Sequence, residues 1–179
     1  MIDQKIHKKI IFIGFMGSGK TSIGKKLASK LNLPFYDTDE MIEQSTKKSI
    51  PIIFKEEGEE YFRLLESKLI LNLKALNSCV IATGGGMPVY HNNMQKLNAI
   101  GTTIYLKHNP KSLTERIFND PNRPIISNFG SKIKLLAYVK ASLDIRDNFY
   151  KEAQIIINCK DKSVDNLIVD IEKILKEQE

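Results

Sequence analysis

Eight consecutive residues constrain this chain more than any others: Gly14-Phe15-Met16-Gly17-Ser18-Gly19-Lys20-Thr21. They fit G-x-x-x-x-G-K-[ST] and lie between a near-continuous apolar run over 9–15 and a segment with Ile23, Leu27 and Leu31 spaced by four. The first run predicts a buried parallel strand and the second one face of a helix, which is the context this motif requires. The glycines let the backbone curl so that N–H groups point at phosphate oxygens, and the helix N-terminus adds the positive end of its dipole. Lys20 can reach β- and γ-phosphates, and the Thr21 hydroxyl can ligate Mg²⁺. The motif therefore predicts binding of a nucleoside triphosphate with Mg²⁺, without separating a kinase from an NTPase or a switch.

The rest of the chain keeps the same alternation. Residues 35–37 and 79–82 read as strands, with a mostly helical stretch over 39–76 between them, broken near Ser49 to Pro51 and again near Gly58. A short helix over 90–98 leads to a strand over 102–106, and Asn109-Pro110 opens a helix to Phe118. Residues 119–131, with two prolines, a glycine and several Asn, Asp and Ser, read as a mobile loop. Helix 132–150, strand 154–158 and helix 163–176 complete the order. Five strands alternating with helices predict an α/β fold, a five-stranded parallel sheet covered on both faces. With 179 residues and neither a repeat nor a linker, the chain reads as one domain.

Composition narrows the setting. The two cysteines, Cys79 and Cys159, form neither a disulfide framework nor a zinc pattern. No apolar run reaches the roughly 18 residues of a membrane span, and the polar first residues lack a signal-peptide core, so a cytoplasmic protein is expected. The net charge of +6 comes from scattered lysines without an arginine-rich arm. That distribution suits small anionic substrates better than nucleic acid. Lysine and arginine total 27, yet only four are arginines: Arg63, Arg116, Arg123 and Arg146. A guanidinium offers a planar fork for carboxylate or phosphate, so each of the four is a candidate ligand-binding residue.

Other candidates lie where open α/β sheets bind ligands, beyond the C-terminal ends of strands. Asp37 and Asp39 follow the second strand; if the chain is extended there they point the same way, and one could serve Mg²⁺ while the other accepts a hydrogen bond from a substrate hydroxyl. Asp39 is also placed to cap the next helix. Arg63 and Glu66, at i and i+3 of one helix, share a face, so the carboxylate can hold the guanidinium. Gly84-Gly85-Gly86 permits close approach to the backbone. Arg123 falls in the loop over 119–131, where a lid would carry a cation to the transferring phosphoryl group.

Taken in order, these pieces resemble the shikimate kinase family. The shared run comprises Gly14 to Thr21, Asp37-Thr38-Asp39, Ile53-Phe54, Gly58-Glu59, Phe62-Arg63-x-x-Glu66, Ala82-Thr83-Gly84-Gly85-Gly86, Arg123-Pro124 and Arg146-x-x-x-Tyr150. The resemblance implies a three-layer αβα fold of the P-loop, nucleoside-monophosphate-kinase-like kind with a mobile lid, acceptor-binding helices over about 39–76, and transfer of the γ-phosphate of MgATP to the 3-hydroxyl of shikimate by a monomer. It assigns Gly17, Ser18, Gly19, Lys20, Thr21 and Ser22 to the nucleotide, with Arg116 along the adenine and Arg123 at the phosphates. Thr21 and Asp37, the latter through water, would serve the metal. Lys20, Asp39 and Arg123 would be catalytic. The acceptor would meet Asp39, Phe54, Phe62, Arg63, Gly84, Gly85, Gly86 and Arg146. Asn148 departs from the proline common two residues after the last arginine, and Thr21-Ser22 from the commoner Ser-Thr. The alternatives are another small-molecule kinase, such as a gluconate or nucleoside monophosphate kinase, a non-catalytic nucleotide-binding regulator and a nucleic-acid-stimulated NTPase.

Overall fold

A computed structural model describes residues 9–118 and 129–177. Its centre is a five-stranded, wholly parallel sheet of β1 (Lys9–Ile13), β2 (Phe35–Asp37), β3 (Val80–Ala82), β4 (Gly101–Lys107) and β5 (Ile155–Asn158), ordered β2-β3-β1-β4-β5. Parallel neighbours need crossovers, and among the described residues seven helices lie between strands, α1 (Lys20–Leu31), α2 (Thr38–Thr46), α3 (Ile50–Glu56), α4 (Gly58–Lys74), α5 (Asn93–Ile100), α6 (Pro110–Phe118) and α7 (Lys132–Tyr150), while α8 (Val164–Glu177) follows β5.

The two-residue period of the strands makes two cores. Ile11 and Ile13 of β1, with Phe15 beyond it, face Ile70 and Leu73 of α4, Leu97 of α5, Ile117 of α6 and Val139 of α7. Ile10 and Phe12 face the other way, onto Ile23 and Leu27 of α1 and Leu167 and Ile171 of α8. This is the expected three-layer arrangement. On α1 the absent side chain of Gly24 matters, because a Cβ there would stand 2.6 Å from the Phe35 ring. A third, small core of Ile42, Ile53 and Phe62 ties α2, α3 and α4 together.

Element boundaries differ from the sequence expectation in informative places. β1 stops at Ile13 because Gly14, at φ 138, turns the chain out of the sheet. The breaks inside 39–76 are where expected. Pro51 sits in the first turn of α3, where its missing N–H is harmless, and Gly58, at φ 85, opens α4 directly after Glu57, the cap shared with α3. The helix expected over 90–98 starts later. A 3₁₀ turn over Met87–Val89 comes first, and His91 and Asn92 take left-handed conformations before α5 begins at Asn93. The sheet order reverses at β1, since β2 lies beyond β3 on one side and β4 on the other. That reversal opens a crevice at the carboxyl end of β1.

Candidate active site

The crevice is filled by the loop after β1. Gly14, Gly17 and Gly19 all have positive φ, of 138°, 78° and 92°, which L side chains rarely adopt. Lys20 is buried, and its ammonium donates to the carbonyls of Gly14 and Phe15 at 2.9 and 3.0 Å. The Thr21 hydroxyl donates to Asp37 Oδ2 at 2.9 Å.

The two aspartates do not lie on a common extended strand, as the sequence suggested. The strand ends at Asp37, which is itself the N-cap of α2 and accepts from the backbone N–H of Asp39 at 3.1 Å. Capping by Asp37 satisfies a free helix donor, so Asp39 is in the first turn and is not the cap. Both nevertheless line one cavity of about 330 Å³, together with Gly17, Gly19, Lys20, Thr21, Ser22, Gly85 and Arg116. Burial is the main reason the Asp39 carboxyl is pushed up to about 6, helped by the charge of Asp37 and opposed by Lys20.

Beside this cavity the Arg63 guanidinium is held from several sides. Nη1 donates to Glu66 Oε2 at 2.7 Å, while Nε and Nη2 donate to Glu59 Oε1 at 3.1 and 2.8 Å. Tyr90 lies 4.4 Å from it, centroid to Cζ, and donates its hydroxyl to Glu59 at 3.2 Å. Phe54 and Phe62, 4.9 Å apart, lie 5.9 and 5.3 Å from the same carbon. Glu66 is fully buried; burial drives its carboxyl up to about 7 against the pull of Arg63. The Arg146 guanidinium lies 5.5 Å from the Phe15 ring. The Tyr150 hydroxyl donates to the Gly85 carbonyl.

The glycine triplet works differently from the expectation of close ligand approach along its whole length. A Cβ on Gly84 would stand 2.5 Å from Asp39 Oδ1 and 3.1 Å from Glu66 Oε1. Both oxygens are buried without a hydrogen-bond partner. A Cβ on Gly86 would collide with the Arg63 guanidinium. These two glycines make room for the protein's own charged side chains, and Gly85 is the member that lines the cavity. The Gly84 N–H is taken by the Thr38 hydroxyl at 2.9 Å.

One cavity thus holds a phosphate-type loop and a partly ionised carboxyl, and a fixed guanidinium packs against the glycine turn that lines it. The family model for shikimate kinase matches residues 16–177. The chain belongs to the shikimate kinase family. A shikimate kinase of Azobacteroides pseudotrichonymphae is 42% identical over 166 residues, covering 92% of this chain and 97% of that one. The crystal structure of shikimate kinase from Bacteroides thetaiotaomicron superposes with a TM-score of 0.89 at 33% identity, covering 94% of this chain and 98% of that one. Shikimate kinase from Acinetobacter baumannii, in complex with shikimate, superposes at 0.86 with 31% identity, over 98% and 96% of the two chains.

Of the residues expected from sequence, Gly17, Gly19, Lys20, Thr21, Ser22, Asp37, Asp39, Gly85 and Arg116 line this cavity; Gly84 and Gly86 pack against Asp39 and Arg63, Phe54 and Phe62 lie by Arg63, Ser18 is buried in the loop, and Arg146 lies by Phe15. Arg123, and with it most of the loop over 119–131, lies outside the described residues. The sequence reading did not single out Glu59 as a holder of Arg63, although it is four residues earlier on the same helix, a spacing that favours such pairs. Tyr90 carried no sequence signal, because it reaches Arg63 only through the turn after Gly86. Among the described residues no group of three His, Cys, Asp or Glu side chains could hold a metal by itself. The Thr21 hydroxyl beside the Asp37 carboxylate is a pair of hard oxygen donors, and it fits Mg²⁺ that brings its remaining ligands from water and phosphate. Among the described residues no helix is long and apolar enough to cross a membrane.

Proposed function

We propose that this protein transfers the γ-phosphate of MgATP to the 3-hydroxyl of shikimate, giving shikimate 3-phosphate and ADP. The observation that carries the reading is the single cavity shared by Lys20, Thr21 and Asp39, with the fixed Arg63 fork packed against the glycine turn that lines it. Family membership supports the acceptor, and Arg63 and Arg146 are the two guanidinia available to clamp its carboxylate.

The acceptor oxygen attacks the γ-phosphorus, the bond from that phosphorus to the β,γ-bridging oxygen breaks, and ADP leaves with the electron pair. Asp39, half-ionised near pH 6, accepts the hydroxyl proton. The backbone N–H groups of Gly17 to Thr21 and the Lys20 ammonium neutralise charge on the β- and γ-phosphates, with Arg123 assigned the same task from the far side. Mg²⁺, held by Thr21 and through water by Asp37, would supply further neutralisation of the phosphate oxygens. Arg116 lies along the base, Phe54 and Phe62 wall the ring, and Gly85 offers its backbone to the acceptor. Positioning and charge stabilisation suffice for phosphoryl transfer, so no covalent enzyme intermediate forms. The reading extends to a single-domain cytoplasmic monomer, for which light scattering and cell fractionation are the tests.

The deciding experiment measures ADP release from MgATP with shikimate, beside gluconate, AMP and single-stranded DNA. Stimulation by shikimate alone is expected. Stimulation by gluconate alone would move the acceptor assignment to a gluconate-type kinase, stimulation by DNA would favour the nucleic-acid-linked NTPase, and tight ATP binding without turnover would favour a regulator.

A further inference from the structure

A buried histidine outside every motif touches the phosphate loop. β4 runs parallel to β1 in the register Ile13↔Tyr105, and it continues to Lys107 after β1 has turned away at Gly14. The next residue, His108, is therefore carried alongside the loop. It is 7% exposed, and its Nε2 is 3.1 Å from the Ser18 carbonyl oxygen, across 90 residues of sequence. A carbonyl only accepts, so Nε2 carries the proton in this contact.

The anchored carbonyl matters because of what lies across its peptide bond. No peptide bond among the described residues is cis, and in a planar trans peptide the C=O and the following N–H point in opposite directions. Fixing the Ser18 carbonyl toward His108 therefore aims the Gly19 N–H away from the ring, and Gly19 itself lines the cavity together with Gly17 and Lys20. Such an anchor matters because the Lys20 bonds hold the start of the loop, at the Gly14 and Phe15 carbonyls, and leave this part of the loop to other restraints. Three of its residues are glycines at positive φ, and its other internal restraints on this peptide are a Ser18 N–H bond to the Phe15 carbonyl at 3.2 Å and the first turn of α1. Gly19, the helix N-cap, contributes no side-chain hydrogen bond.

We propose that His108 is a positioning residue of the phosphate cradle: its neutral imidazole donates Nε2–H to the Ser18 carbonyl and so presets the Gly19 N–H for a nucleotide phosphate. The surroundings keep the ring neutral. Burial lowers its pKa to about 4, and the cations that face it, Arg116 from α6 and Lys20 from α1, push in the same direction. The inference rests on reading this loop as the nucleotide site and does not depend on the identity of the acceptor.

The test measures MgADP affinity by calorimetry, alongside the KM values for ATP and shikimate. In His108→Phe, which keeps a buried ring and removes the donor, the dissociation constant of MgADP and the KM for ATP should rise about tenfold, the usual consequence of leaving a buried acceptor unpaired. The KM for shikimate should stay within about twofold, as expected for a change confined to one ligand's site. His108→Gln, which restores an N–H at similar reach, should recover affinity to within about threefold of the native protein. The proposal is overturned if Phe and Gln behave alike, or if the melting temperature falls while MgADP affinity holds. Should His108→Phe not fold, ¹⁵N NMR of the native protein decides: a neutral Nε2–H tautomer from pH 5.5 to 8 is required, and an Nδ1–H tautomer sinks the idea. Failure of the native protein to bind MgADP would instead refute the nucleotide reading itself.

Discussion

The cradle from Gly14 to Thr21 and the cluster around Arg63 meet at one cavity but are made in different ways. The cradle is contiguous in sequence and binds chiefly with backbone N–H groups, whose directions follow from φ values of 138°, 78° and 92° at its glycines. The Arg63 cluster is assembled from side chains of α4, α2, α7 and Tyr90, packed on the Gly84 turn, and its Arg63 and Glu66 charges are buried against each other. Backbone donors are carried by the chain itself, so they stay in place when a single charged side chain is lost. Buried charges hold only as a set, because removal of one strands its partner. The first region should therefore tolerate loss of its cation structurally while losing chemistry. The second should lose binding and stability together.

The largest expected effects test that contrast directly. Lys20→Met should lower kcat/KM about a thousandfold, the scale of removing a charge-stabilising donor from a transition state, with a melting temperature within a few degrees of the native value. Arg63→Ala should raise the KM for shikimate about a hundredfold and lower the melting temperature markedly, since it leaves the fully buried Glu66 without a counter-ion. Kinetics and thermal unfolding of both variants provide the check. If Lys20→Met unfolded the protein while Arg63→Ala left its stability unchanged, the contrast would be reversed.

A finer cut compares two adjacent glycines. Gly84→Ala drives a methyl group to within 2.5 Å of Asp39 Oδ1, so the carboxyl assigned to the acceptor hydroxyl must move. Gly85→Ala meets the Gly14 carbonyl and the Met16 nitrogen at 3.4 Å, near the tight edge of ordinary contact. We expect a loss of about tenfold or more in kcat for the first, consistent with displacing a general base, and about threefold or less for the second. Equal losses in steady-state assays would mean that ligand contact along the triplet outweighs the packing of Asp39 against Gly84.

These two regions also differ in how plainly the sequence announces them. The cradle and its flanking β1 and α1 were legible because strand, turn and helix signals are all local. The Arg63–Glu66 pair was legible for the same reason, at helical spacing. The relation of Asp37 to Asp39 was not, because it turns on which residue caps α2, and a run of Asp-Thr-Asp offers more than one choice. The start of α5 escaped because two non-glycine residues, His91 and Asn92, adopt left-handed conformations that local propensity disfavours. Tyr90 and His108 were invisible to any motif, since only the sheet register and the turn after Gly86 bring them to Arg63 and Ser18.

The smallest effect is a change in pH dependence. Glu66 in the native state has its carboxyl raised to about 7 from an ordinary 4.5. Between those values the native protein binds more protons than the unfolded chain, so this group makes stability fall as pH rises and its contribution is fully present only below about 4.5. Glu66→Gln removes the titration and keeps an acceptor for Arg63. Asp39, raised to about 6, contributes the same sign of slope, and His108, lowered to about 4, the opposite sign; both remain in the variant and cancel to first order in the difference. The melting temperature of Glu66→Gln relative to the native protein should therefore climb from pH 5 to about pH 7 and level off above it. A difference that is flat or falls across that window would mean that Arg63 keeps Glu66 ionised throughout, so that the cluster holds its charges as stably as the cradle holds its backbone.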